Sequence, residues 1–199
     1  MYTIKRTDRR ITSMWDENWL KAELAKVELC QWEERQSDVH MTAKMLYDDS
    51  RLYVRMETDE PMPTARETKN NGDVYKDSCM ELFISPNEND ERYLNFEFNA
   101  YGTMHMAIRK SRYEWVFTDE DRDYFEVQSY VDNEKWILQF VLPFEYADKY
   151  LGGHTKHMKG NFFKLGEKDG KRHYRSMYKI DLPEPDNHTP QFFGDFVLE

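Results

Sequence analysis

The sequence predicts an all-β protein, an antiparallel β-sandwich with at most one or two short helices. Runs in which apolar and polar residues alternate recur at short intervals along the 199 residues, and turn-forming clusters separate them. The composition agrees, because the chain has 12 Phe, 13 Tyr and 5 Trp but only 8 Gly, and aromatic side chains favour strands. About ten to twelve short strands at this spacing are typical of a sandwich.

The predicted strands follow one another closely along the chain. In order, they lie at residues 22–32, 41–61 (a hairpin that turns at "DDSR"), 78–85, 92–102, 103–111, 124–131, 136–144, 161–167, 172–180 and 192–198. The segment "RQSDVHM" (35–41) and the Pro-rich, then polar, segment 61–73 are predicted to be loops, because Pro, Asp, Asn and Gly favour turns.

One short helix is expected at "FEYADKYL" (144–151), directly after Pro143, because proline is tolerated at a helix start but not inside a helix. A further turn is expected near Trp15–Leu20. The sequence contains no internal repeat, low-complexity tract or linker. A single domain that spans residues 1–199 is therefore expected.

The net charge of −10 disfavours two classes of partner. Binding to nucleic acid depends on clustered Lys and Arg, and anionic lipid would likewise be repelled. No apolar run approaches the roughly 20 residues of a membrane span. The N-terminus lacks the hydrophobic core of a signal peptide, which leaves a cytoplasmic protein and a removed leader both open. Two cysteines alone exclude a disulfide framework.

Alternation fixes the core face of the central meander. Met80, Leu82 and Ile84 must share a face with the apolar residues of the next strands, since otherwise a large apolar row would meet water. Those residues are Leu94, Phe96, Phe98, Met104, Met106 and Ile108. The opposite face is consequently set by the odd-numbered residues.

That opposite face is predicted to hold a polar group of side chains. Glu81 should lie beside Asn95 or Glu97, with Glu97 opposite about His105 and Arg109 opposite about Tyr93; the group is therefore Glu81, Asn95, Glu97, His105 and Arg109. One interpretation is an ordinary solvated outer face. The other is a binding site, because fixed donors and acceptors suit sugar hydroxyls, which both donate and accept hydrogen bonds.

The chain resembles the family 9 carbohydrate-binding modules and their short bacterial relatives. The motifs that carry the resemblance are "LYDDSRLYVRMETDE", "VYKDSCMELFISP", "YLNFEFNAYGTMHMAIR", "WILQFVLPFEY", "GNFFKLGE" and "PEPDNHTPQFFGDFVL". Each motif is weak alone, but their order and spacing agree over roughly residues 24–199. The resemblance implies a jelly-roll-like β-sandwich that binds saccharides without catalysis.

The resemblance also implies a site in which two aromatic rings sandwich a sugar while polar side chains bind its rim. The first ring corresponds to Tyr75, and Glu81 takes the place of the family's strand-borne glutamate. The family's arginine on the next strand falls near Asn95, where this chain departs from the pattern. Arg109 could supply a guanidinium instead, and Glu97 would complete the rim.

The second ring is expected in the C-terminal region. There the stretch "RSMYKI" offers Tyr178 or, in a shifted register, Met177, where the family often has Trp. His188 matches a position that is often His in the short relatives. Because neither expected tryptophan is present, a preference for glycan chain ends does not follow.

Family members can hold structural calcium through carboxylates and carbonyl oxygens. The candidate ligands in this chain are Asp48, Asp49, Asp73 and Asp77. These acids do not form a contiguous calcium-loop pattern, so solvated turn residues are the favoured interpretation and no metal site is assigned.

Two other metal-dependent roles are disfavoured. "HTKH" (154–157) with His173 is a poor match to a zinc site, which needs more placed ligands. A haem role would need accessible Met and His ligands, but Met104 and Met106 alternate with His105 and so point into the core.

Two alternatives to non-catalytic sugar binding stay open. A glycosidase could use Glu81 and Glu97, which would have to stand across a cleft. Cys79 shares the face of Glu81, but nothing nearby marks an activated thiol. A degenerate sandwich could instead dock another protein. By resemblance, the partners are an oligo- or polysaccharide and a glycoside hydrolase whose polysaccharide breakdown the module supports, in an extracellular or periplasmic location.

Overall fold

The computed structural model describes residues 1–30, 32, 38–168 and 170–199. Its strands are β1 (Tyr2–Arg6), β2 (Ala25–Val27), β3 (Met41–Tyr47), β4 (Arg51–Thr58), β5 (Cys79–Ser85), β6 (Tyr93–Asn99), β7 (Met104–Arg109), β8 (Trp115–Val116), β9 (Gln128–Val131), β10 (Trp136–Pro143), β11 (His157–Lys168), β12 (Lys171–Ser176) and β13 (Gly194–Leu198). The helices are α1 (Phe144–Leu151) and short 3-10 turns at Glu17–Leu20, Val74–Lys76 and Pro190–Phe192. None of the described helices has the length and apolar character needed to cross a membrane.

The strands form one curled sheet in the order β8-β7-β6-β5-β11-β13-β1-β3-β4-β10-β9, while β12 pairs with β11 and β2 pairs with β3. The two halves face each other across the main core. Phe96 on β6 lies 4.9 Å from Phe140 on β10, measured between ring centroids. The even-numbered side chains of β5, β6 and β7 therefore fill the space between two layers, as the alternation predicts.

The predicted β-rich sandwich is confirmed, but its purely antiparallel pairing is wrong. β1 pairs in parallel with both β13 and β3 and joins the two halves of the sheet. The sequence analysis did not predict β1, because "YTIKR" alternates over only five residues and carries two charges. Tyr2 and Ile4 are nevertheless buried. A strand with no hairpin partner in sequence has no turn to fix its direction, so local patterns cannot reveal a parallel pairing.

Several local predictions are confirmed. The helix α1 starts after Pro143 and ends at Gly152, whose φ of 70° is the left-handed conformation that glycine adopts readily. The β3–β4 hairpin turns at Asp48, whose Oδ1 accepts a hydrogen bond from the Ser50 amide. Part of the predicted first strand (residue 31) and part of the predicted loop at 35–41 (residues 35–37) lie outside the described residues.

The predicted register of the meander is also confirmed. Glu81 lies opposite Glu97, Glu97 opposite His105, and Tyr93 opposite Arg109. The interpretation of this face as an ordinary solvated surface is wrong, however. The C-terminal segment lays apolar side chains across it and forms a second, smaller apolar cluster. The buried members of this cluster are Val74, Cys79, Phe83, Tyr93, Phe163, Leu165, Ile180 and Phe193.

Candidate functional site

A groove with a volume of about 570 Å³ lies on this outer face of the sheet. This volume is within the range of small-molecule sites. Its lining comes from the floor strands and from two loops, and comprises Asn71, Gly72, Asp73, Tyr75, Glu81, Phe83, Glu97, His105, Arg109, Arg112, Trp115, Phe117, Leu165, Arg172, Tyr174, Pro185, Asp186, Asn187 and His188. The buried polar row of the sheet thus opens into a cavity.

The first wall is the loop at residues 71–75, which is fastened to the start of β7. The Asn71 amide donates to the Met104 carbonyl over 2.8 Å, and the Asn71 side-chain oxygen accepts from the Met106 amide over 3.0 Å. The Gly72 carbonyl lies 3.2 Å from Nδ1 of His105. These bonds satisfy backbone groups at the start of β7 that have no neighbouring strand on that side. They hold the loop beside the floor of the groove.

Tyr75 is the last residue of this loop and presents its ring to the groove. Its side chain is 45% exposed, while its backbone carbonyl accepts a hydrogen bond of 2.7 Å from Nη2 of Arg172 on β12. The Lys76 ammonium lies 5.7 Å from the centre of the ring. The backbone is therefore anchored and a large part of the ring is available to a ligand, as the resemblance implies for the first aromatic platform.

The second wall is the segment 185–188, which packs against the other end of the same strands. The His188 ring stacks on Phe83 at 4.9 Å, and its Nδ1 lies 3.0 Å from the Tyr93 hydroxyl. Burial, assisted by the nearby Arg109 and Arg112, lowers the pKa of His188 to about 3. His188 is consequently an uncharged ring at neutral pH, and its role is to position this wall.

Asn187 connects the second wall to the floor. Its side-chain nitrogen donates a hydrogen bond of 3.0 Å to Oε2 of Glu81. On the outer side of the wall, Arg112 forms an ion pair of 3.3 Å with Asp186, and the Asp186 carboxylate also accepts from the His188 amide over 2.9 Å. The segment that carries Asn187 is therefore held by Glu81 on its inner side and by Arg112 on its outer side.

The centre of the floor is the carboxyl pair Glu81 and Glu97, both of which are buried. Neither forms an ion pair with any residue in the described part of the chain. Burial, reinforced by the negative charge of Glu97, raises the pKa of Glu81 well above its ordinary value. Asn95 donates a hydrogen bond of 3.0 Å to Oε1 of Glu97, while Oε2 of Glu97 has no hydrogen-bond partner among the described residues.

Arg109 is the cationic group of the floor, and its geometry is fixed. Nε donates to Oδ1 of Asn95 over 2.5 Å, Nη1 donates to the Arg112 carbonyl over 3.1 Å, and Nη2 lies 3.3 Å from Nε2 of His105. Burial lowers the pKa of Arg109 from its ordinary value, but a guanidinium stays charged in proteins. Its orientation is thus set before any ligand arrives.

Besides the buried Phe83, the groove contains Trp115, Phe117 and Tyr174, none of which was predicted as a site residue. Trp115 lies at the β8 edge, with its ring centre 5.5 Å from the Arg109 guanidinium carbon. Phe117 lies 4.5 Å from Trp115. Tyr174 lines the other end on β12 and packs edge-on against Trp32 at 6.0 Å. The run "EWVF" in a polar connection was the signal available for the first two.

The structure brings most of the predicted site together. Tyr75, Glu81, Glu97, Arg109 and His188 all line the groove. Asn95 is fully buried beneath the groove and orients its neighbours instead of lining it.

Tyr178, the predicted second ring, lies outside the groove. Its ring packs against Gly194, where a Cβ would come within 2.3 Å of it, and lies 6.2 Å from Phe196. Met177, the alternative, packs against the main core. The "RSMYKI" stretch therefore supports the sandwich, and the additional rings of the groove come from β8 and β12.

The four calcium candidates are engaged in the protein's own contacts. Asp48 accepts from the Tyr53 hydroxyl, and Asp49 pairs with Arg6. Asp73 pairs with Lys76, and Asp77 accepts from backbone amides at 66 and 67. These oxygen atoms hold loops together, and the donor set does not fit a shared calcium ion. Among the described residues, the one His/Cys/Asp/Glu group with metal-like spacing is Cys79, Glu81 and Glu97.

The zinc and haem interpretations are not supported by the placement of their residues. His154 stacks on Phe144 and lies 2.9 Å from Asp148, whereas His173 is buried 3.2 Å from the Lys164 ammonium. Met104 and Met106 are buried in the main core. The burial of Cys79 raises the pKa of its thiol well above the ordinary value, which is the opposite of an activated nucleophile.

A β-sandwich with a groove of fixed polar groups and partly exposed rings defines a class of small-molecule or glycan-binding domain. The sequence profile of carbohydrate-binding family 9 matches residues 13–198. The chain belongs to this family of carbohydrate-binding modules. No curated protein sequence matches the chain significantly.

Solved structures share the fold over the whole chain. A candidate carbohydrate-binding protein from Bacteroides uniformis is 23% identical, with a TM-score of 0.80 over 99% of this chain and 98% of that one. A family 9 module from Caldicellulosiruptor kristjanssonii in complex with cellotriose is 15% identical, with a TM-score of 0.68 over 100% and 93% of the two chains. The same organism's module with glucose gives 14% identity and a TM-score of 0.69 over 99% and 94%.

Proposed function

We propose that the groove binds a neutral saccharide without catalysing its cleavage. The observation that carries this proposal is the exposed Tyr75 ring beside a buried, pre-oriented polar floor. A pyranose presents a face of C–H groups that an aromatic ring can cover, while its hydroxyls need donors and acceptors at the rim. The groove offers both kinds of surface within one cavity.

The polar groups suit a neutral ligand. Arg109 and Asn187 supply N–H donors, and Glu97, which also lines the groove, supplies a carboxyl acceptor. Burial raises the pKa of Glu81, and its carboxyl group adds a further hydrogen-bonding group to the floor. Family membership and the cellotriose and glucose bound by structural neighbours support glucans as the first ligands to test.

The same geometry disfavours hydrolysis. Glu81 and Glu97 lie side by side on adjacent strands of one floor, not on facing walls of the groove. A glycosidase instead holds its two carboxyl groups on either side of the scissile bond. We therefore propose that the chain does not cleave glycans itself. From family membership alone, we further propose that it supports polysaccharide breakdown by a partner glycoside hydrolase outside the cytoplasm.

Native affinity electrophoresis against a panel of soluble polysaccharides tests this proposal. We expect one glycan class to retard the wild type, and Tyr75→Ala to abolish the retardation. Tyr130→Ala is the matched control, because this tyrosine is also partly exposed but lies on β9 in the other half of the sheet. Retardation that survives Tyr75→Ala would place the site elsewhere. Absence of retardation by every glycan would favour a protein-docking role.

A further inference from the structure

The groove runs across the strands, because its two walls stand at opposite ends of them. The loop at 71–75 is bonded to the start of β7 at Met104 and His105. The segment 185–188 packs on Phe83 and Tyr93, and Tyr93 lies opposite the last residue of β7. A ligand between these walls must therefore cross neighbouring strands.

The floor between the walls spans six neighbouring strands. In order these are β8, β7, β6, β5, β11 and β12, and each contributes lining side chains. Five strand spacings of about 4.8 Å separate β8 from β12 by roughly 24 Å, measured across the strands. This length exceeds the width of one pyranose ring.

The β8 end carries an aromatic surface that the fold itself leaves partly open. Trp115 is 44% exposed and Phe117 is 40% exposed. Trp115 lies opposite Arg109 in the β7–β8 register, which holds the indole beside the guanidinium, and the His105 ring lies 5.4 Å from Phe117. Both rings are thus held in place, with substantial surface still facing solvent and the groove.

From this geometry we infer that Trp115 and Phe117 form a second sugar subsite at the β8 edge. The site then holds an oligosaccharide that lies across the strands, with one unit over the Glu81–Tyr75 centre and another against Trp115. This inference rests on the proposed saccharide function and deepens it. Its ligand class is a linear neutral oligosaccharide of more than one unit.

Calorimetric titration with glucose, cellobiose, cellotriose and cellotetraose tests the inference. For the wild type, affinity should rise from glucose to the longer ligands by roughly tenfold, the scale of an added aromatic contact. Trp115→Ala should remove this gain, so that glucose and the longer ligands bind with similar affinities, and Trp115→Phe should keep part of it. Trp15→Ala is the control, because Trp15 is 60% exposed and packs against Tyr130 in the other half of the sheet.

Two outcomes would overturn the inference, and they differ in what they say about function. If glucose and cellotriose bind the wild type equally, or if Trp115→Ala retains the full gain, the second subsite is refuted while saccharide binding stands. If none of the four ligands binds and no polysaccharide retards the protein, both proposals fail. Circular dichroism of each variant separates a lost subsite from a lost fold.

Discussion

Glu81 on β5 and Glu97 on β6 lie directly opposite each other in the antiparallel ladder, and both side chains are buried. Like charges in facing positions repel each other, and burial penalises each charged form. Two features reduce this cost. The raised pKa of Glu81 favours its uncharged form, and Asn187 and Asn95 donate hydrogen bonds to the two carboxyl groups. The pair is thereby retained at the centre of the groove.

The first prediction concerns stability as a function of pH in Glu81→Gln. The folded state holds the Glu81 proton more tightly than the unfolded state, whose pKa is about 4.5. The resulting stabilisation is present below that value and is lost as the pH rises through the folded pKa. As the pH rises from about 4.5 towards the raised folded pKa, the free energy of unfolding should therefore fall less in Glu81→Gln than in the wild type.

Urea denaturation at a series of pH values measures this difference. Glu134→Gln is the control, since Glu134 is exposed in the turn before β10 and should leave the wild-type profile unchanged. Parallel profiles for the wild type and Glu81→Gln would show that Glu81 is ionised in the fold.

The second prediction concerns His188. Its folded pKa of about 3 lies below the ordinary value of about 6.5 for an unfolded chain. Its contribution to stability is therefore complete above about pH 6.5 and is lost as the pH falls towards about 3. In NMR spectra the His188 ring signals should stay constant between about pH 7 and about pH 5 in the folded protein, but titrate in urea. If His188 titrated near its ordinary pKa in the folded protein, this result would contradict its burial in the second wall.

The third prediction concerns Arg109→Lys, which keeps the charge but loses the planar fork of donors. Lysine cannot bond Asn95 and the Arg112 carbonyl at once as Arg109 does. We expect a loss of about 1–3 kcal/mol in unfolding free energy from the unpaired acceptors, together with a loss of saccharide affinity. Arg9→Lys, at an exposed ion pair, should change neither quantity measurably. Unchanged affinity in Arg109→Lys would remove Arg109 from the site.

The fourth prediction concerns the buried ion pair between Lys164 on β11 and Glu60, 2.9 Å apart. Glu60 also accepts hydrogen bonds from Ser78 and Trp136, so the pair connects β11, β10 and the start of β5. Lys164→Met should lower the free energy of unfolding by about 3–5 kcal/mol, because the Glu60 charge is left buried without this partner.

Two further variants test the cause of that loss. Adding Glu60→Gln to Lys164→Met should restore part of the stability, since the unpaired charge is removed. Lys179→Met breaks an exposed pair with Asp181 and should cost about 0–1 kcal/mol. Equal losses in Lys164→Met and Lys179→Met, read from urea midpoints, would refute the account.

Alternation in the sequence was sufficient to predict the floor of the groove. Because side chains alternate strictly along a strand, the apolar rows of β5, β6 and β7 fixed their register, and Glu81, Glu97 and His105 followed from it. Alternation could not predict what covers that face. Ile180 and Phe193 arrive from a distant segment rich in Pro, Asp and Asn, whose local pattern reads as a solvated loop.

The walls and ends of the groove were also difficult to predict, because the local sequence pattern does not show where these segments pack. Trp115 lies on a two-residue strand at the sheet edge, too short to produce an alternating pattern. Tyr174 lies within β12, whereas Tyr178 follows the end of that strand. The resemblance pointed to Tyr178 as a ring of the groove, but the structure places Tyr174 there.

Two-dimensional NMR of the side-chain amide and indole groups, recorded during titration with cellotriose, tests the central claim that this groove binds a saccharide. We expect the Asn187 amide and the Trp115 indole signals to shift with a common saturation curve, while the Trp15 indole signal stays in place. Shifts confined to Trp15 and its surroundings, or an unchanged spectrum with cellotriose and with every glycan of the panel, would contradict the claim.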